Sequence, residues 1–182
     1  MSIHELQTWI VTALSPETAV DRLMTTAWAW PIMESLHFTG LCLLIGGVGT
    51  FDLRLLGLAR SVPIAVVHRL IPWGLAGFAI NVTTGSLFVM TEPDQYIYNP
   101  SFHLKLLFMG IAGVNASLFY VTSFRHAFGP GARLDAPRHA KIIAAVSLTA
   151  WLLVIICGRL ITFFRPGPCF DAARTLLLTC GP

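Results

Sequence analysis

The chain has 182 residues, 55% of them hydrophobic and 12% charged, with a mean hydropathy of +0.71. Soluble domains carry about 25% charged residues, so this composition excludes an ordinary soluble domain and indicates an integral membrane protein holding one bundle. The net charge of +3 is spread along the sequence rather than gathered into a patch, which excludes a nucleic-acid-binding surface.

Met1–Leu14 places Ile3, Leu6, Ile10, Val11 and Leu14 on one helical face, with Trp9 close to it. That pattern predicts an interfacial amphipathic helix, with an ordinary packed terminal helix as the alternative. The segment has no basic leader and no small-residue cleavage site, so insertion is expected to rely on the first true span. Ser15-Pro16-Glu17 reads as a helix start: a capping serine, proline at the first position, an acid in the first turn. Trp28 and Trp30 mark a membrane interface, and Pro31 predicts a kink at the entry to the lipid.

A crossing helix needs about 20 mostly apolar residues. Four segments qualify, over about 31–51, 63–90, 102–124 and 139–163. The fold expected is therefore all-α: a four-helix transmembrane bundle forming a single domain, preceded by an interfacial helix and entry segment (1–30) and followed by an external tail (164–182). Leu176–Leu178 in that tail is too short an apolar run to cross.

Basic residues predict the orientation. The loop after span one holds Arg54, Arg60 and Arg69, and the loop after span three holds Arg125, Arg133, Arg138 and Lys141, so both should face the cytoplasm. Glu92 and Asp94 follow span two, and the N-terminus carries Glu5, Glu17 and Asp21. This predicts a bacterial inner membrane protein with both termini on the periplasmic side. Arg165 and Arg174 in the tail run against that reading, but span parity fixes their side. Cys169 and Cys180 then lie in an oxidising compartment and form a candidate disulfide, whereas Cys42 and Cys157 read as apolar packing residues inside spans.

Each span carries one histidine. His37 lies roughly 9 Å in from Pro31, with Glu34 one turn before it. His103 starts span three on the same side; His68 and His139 lie toward the other side, where His126 could replace His139. Ionisable groups inside a span are costly and usually face a site. Two levels of paired imidazoles suit axial ligation of one or two b-type haems, non-covalent because no CxxCH occurs. Gly40, Gly74, Gly77, Gly110 and Gly113 near these histidines suit close approach of a flat ring, though the same residues serve helix packing in any membrane bundle. Lys105, Arg69, Arg138 and Lys141 are candidate propionate partners, and Glu34 a candidate proton carrier. A lone histidine at a helix end otherwise reads as an interfacial side chain.

Span three, HLKLLFMGIAGVN, sets Lys105 near its start and Asn115 three turns on, and span one carries LHFTG from Leu36 to Gly40. In these features the chain resembles CopD-type copper-resistance membrane proteins, which are larger; the resemblance implies periplasmic copper handling. External Met- and His-rich clusters that would favour copper capture are missing from the sequence. The pattern of one histidine per span is similar to di-haem cytochromes b of the b561 type. That resemblance implies electron transfer between a quinol or soluble donor and a partner protein, with His37, His68, His103 and His139 as ligands at matched depths. His37 appears deeper than His103, which departs from that pattern.

No GxSxG, HExxH or Walker loop occurs. The expected function is thus a membrane-embedded b-type cytochrome, an electron-transfer protein or oxidoreductase subunit rather than a stand-alone enzyme. A copper-binding or copper-transport protein, and a cofactor-free structural subunit of a larger complex, are the alternatives.

Overall fold

The computed structural model describes residues 3–14, 19–24, 26–124 and 136–164. Among them there is no strand. Four helices are long and apolar enough to cross a membrane: Ala29–Leu56, Ile64–Thr91, Pro100–Ser123 and Arg138–Leu160. The protein is an all-α four-span bundle with a further helix near its N-terminus, Ile3–Leu14. Ser15–Glu17, His126, Cys169 and Cys180 lie outside the described residues, as do Arg125, Arg133, Arg165 and Arg174.

Span one runs past its expected end at residue 51. Asp52 and Arg54 look like a helix stop in the sequence, but both are buried. Asp52 bonds to the Ser147 side chain of span four. Arg54 donates from Nε to the Val62 carbonyl (2.5 Å) and from Nη2 to the Arg60 carbonyl (3.1 Å). These partners carry the helix on to Leu56, where Gly57 (φ +110°) closes it in the left-handed conformation that glycine adopts at least cost. Pro31 sits in the first turn of the helix, which begins at Ala29, where a missing N–H is tolerated. Span two comes in two pieces, Ile64–His68 and Ile71–Thr91, with Pro72 opening the second. Spans one and three each widen into a single π-helical stretch, at Ile45–Gly49 and Phe119–Ser123.

Span one packs along span two, and span three along span four; the two pairs meet chiefly where Thr50–Leu56 lies against span four. Gly40 and Gly77 make the first pairing possible. A Cβ on Gly77 would collide with the Gly40 carbonyl oxygen, and one on Gly40 would come within 2.9 Å of the Gly77 oxygen. Helices in lipid associate by close packing rather than by water expulsion, so this approach is itself the source of cohesion. The second pairing is clamped by Asn99, which is fully buried. Its side-chain oxygen accepts from Ser101 N (2.9 Å), and its Nδ2 donates to the Ile161 and Phe164 carbonyls (3.0 and 2.8 Å). One residue therefore caps the start of span three and satisfies carbonyls at the end of span four.

Spans one and three begin, and spans two and four finish, at one end of the bundle, the entry end. At the opposite end a single apolar cluster draws on all four spans: Phe51, Leu55, Ile64, Val67, Phe119, Ala140 and Ala144 among others. The entry end has only a small one, Met24, Ala29 and Phe88. Above it, Gln7 Nε2 of the N-terminal helix donates to the Ile97 carbonyl (3.1 Å) and Tyr98 donates to Thr8 (3.4 Å), leaving Leu6 and Trp9 exposed.

Candidate functional site at the entry end

His37 turns toward span two. Its Nδ1 lies 2.7 Å from the hydroxyl of buried Thr84. That hydroxyl, as helical threonines commonly do, donates its one proton back to the carbonyls of Ile80 (2.8 Å) and Asn81 (3.3 Å). With the proton committed, the Thr84 oxygen accepts from His37 Nδ1–H. In that arrangement His37 is the Nδ1–H tautomer and Nε2 is the basic nitrogen; were the hydroxyl to donate to Nδ1 instead, Nε2 would carry the proton.

The ring is held on other sides as well. Asn81 Nδ2 donates to the His37 carbonyl (3.2 Å). The Phe88 ring lies 5.6 Å from the imidazole, and Trp30 stacks on Phe88 at 5.0 Å. Gly85 leaves room beside the ring: a Cβ there would stand 3.7 Å from His37 Cε1. Span three contributes Lys105, which is within electrostatic range of His37 and of Cys157 on span four. The Lys105 chain lies against span four at Gly158, where a Cβ would stand 3.6 Å from Nζ, in ordinary van der Waals contact. Near mid-span, Phe78 and Trp151 meet edge to face at 6.0 Å, joining spans two and four. All four spans supply a residue to this region.

The other histidines sit differently. His103 is exposed at the start of span three, beside Phe102. His68 is half-buried at the opposite end, hydrogen-bonded through Nε2 to Tyr120 Oη (3.2 Å) and ringed by Phe51 and Phe124. His139 is exposed at the start of span four. Glu34, Arg69 and Arg138 are exposed, and Lys141 is half-buried. Of the four expected ligands, His37 is the one turned into the bundle at the entry end. The residue it meets there is Thr84, with Lys105 nearby, rather than His103. Among the described residues, no group of three or more His, Cys, Asp or Glu side chains is gathered as a metal site.

Thr84 was not a candidate from the sequence. It lies seven residues before the end of span two, and His37 lies eight residues after the start of span one. Matching polar residues by depth across antiparallel spans would have found the pair. No family model, curated protein or solved structure matches the chain.

A half-buried imidazole with one nitrogen anchored and the other basic can bind a proton or a metal. Anchoring the remote nitrogen on a neighbouring helix is the arrangement that orients metal-bound histidines, because it fixes both tautomer and ring plane.

Proposed function

We propose that this protein is a membrane-embedded b-type cytochrome that carries electrons, with His37 as an axial ligand of a haem held between the helix pairs at the entry end. The observation that carries this reading is the 2.7 Å contact of His37 Nδ1 with Thr84 Oγ1, which anchors the ring by one nitrogen and leaves Nε2 for a ligand inside a membrane span. A haem b there would supply one-electron iron chemistry that no side chain in the bundle offers.

The residues present fit one axial position and one carboxylate partner. Thr84 orients the imidazole; Asn81 and the Gly40–Gly77 contact fix the helix that carries it. Phe88 and Trp30 cover the imidazole toward the entry surface. The second axial position is not assigned to His103, which is exposed, and the reading is therefore of one haem. A second haem at the opposite end would require His68 to leave Tyr120. A quinol or a redox protein is the natural donor, and a larger membrane complex a natural setting.

Exposed charge supports the orientation. Arg60, Arg69 and Arg138 lie at the opposite end, whereas Glu34, Glu92 and Asp94 lie at the entry end. We read the opposite end as cytoplasmic, in a bacterial inner membrane, with both termini periplasmic.

An optical spectrum of the purified chain, oxidised and then dithionite-reduced, tests the proposal. A sharp reduced b-type α band that His37→Ala abolishes is the expected result. A colourless protein that binds Cu(I) would instead favour copper handling, and one that binds neither would leave a structural subunit.

A further inference from the structure

Lys105 is the feature of the entry end that the fold does not account for. It is half-buried, one turn into span three, with its chain laid against Gly158 of span four. Its Nζ forms no hydrogen bond or ion pair with the described residues. Its electrostatic neighbours are His37 and the Cys157 thiol. Glu34, the nearest acid in sequence to His37, is exposed. A lysine amine inside a bundle, with nothing to accept its hydrogens, is costly unless something anionic completes it. Buried Arg54, by comparison, donates from Nε and Nη2 to the carbonyls of Val62 and Arg60.

We propose that Lys105 is the recognition cation of this site and binds a carboxylate of the occupant whose other anchor is His37. This deepens the haem reading and rests on it: the carboxylate is a propionate of the macrocycle. Two anchors on different helix pairs, an imidazole on span one and an amine on span three, would then hold the occupant from both pairs.

The test uses the full chain in detergent, freed of endogenous pigment, and titrates it with iron protoporphyrin IX and separately with its dimethyl ester, following the Soret shift. A charge-assisted bond contributes about 1.5–3 kcal/mol, so Lys105→Gln should weaken binding of the free acid roughly tenfold or more, while leaving the ester unchanged. Lys105→Arg should retain part of the preference for the free acid. Thermal unfolding of each variant checks that the bundle is intact, and the comparison of the two macrocycles on the wild-type chain stands even where a variant does not fold. Equal binding of acid and ester by the wild type, or acid binding that survives Lys105→Gln, overturns the role of Lys105 and leaves the haem reading standing. No Soret shift with either macrocycle overturns both.

Discussion

The two ends of this bundle solve the problem of polar groups in lipid in opposite ways. At the end bearing Arg60 and Arg69, polar side chains tie elements together, although buried Asp52 Oδ2 has no hydrogen-bond partner among the described residues. Arg54 ties span one to its own loop, Asp52 reaches Ser147 on span four, and His68 meets Tyr120 on span three, around an apolar cluster shared by all spans. At the entry end the shared apolar cluster is replaced by a histidine, a threonine, an asparagine and a lysine drawn toward one region. The difference lies in what surrounds the polar groups: a shared apolar cluster at one end, and one another at the entry end.

Substitutions can break the contrast or sharpen it. The largest expected effect is from His37→Ala, which should abolish the b-type spectrum, whereas His68→Ala should leave it in place; reduced-minus-oxidised difference spectra read both. Loss of the spectrum in the His68 variant alone would move the site to the other end. Next comes Gly77→Val. Its Cβ collides with the Gly40 carbonyl, so spans one and two must separate, at a cost of about 1–3 kcal/mol, visible as a lower thermal midpoint in detergent. Thr84→Val keeps the shape but removes the acceptor for His37 Nδ1–H. Haem affinity should fall about 10–100-fold with the bundle intact, and Thr84→Ser should restore most of it. The smallest effect belongs to Tyr120→Phe. Losing its single bond to His68 should cost about 1 kcal/mol and leave the pigment untouched.

The sequence was a good guide wherever one helix could be read alone. Composition and apolar length predicted four spans, and each lies within a few residues of its place. The depth of His37 marked it as more than an interfacial residue. What failed to show was whatever depends on a neighbouring helix. Asp52 and Arg54 read as a helix end because charge is a stop signal until a partner is known, and their partners are Ser147 and two loop carbonyls. Thr84 reads as a stray hydroxyl in span two, and only the rotation of span two about its axis brings it to His37. The expectation of imidazoles meeting in pairs took level into account but not facing: His103 shares an end with His37 yet lies on the exposed side of its helix. The π-helical stretches, which shift the register of every residue after them, leave no clear mark in an apolar sequence.

The tight Gly40–Gly77 seam lies between segments that are consecutive in the chain, and so does the Asn99 clamp to Ile161 and Phe164. Each pair of consecutive spans thus holds more contacts within itself than with the other pair. Thr84 meets His37 within the first hairpin, while Lys105 arrives with the second. An occupant anchored to both would be captured as the halves close and would act as a rivet between them, so a chain made without it should come apart at that joint first.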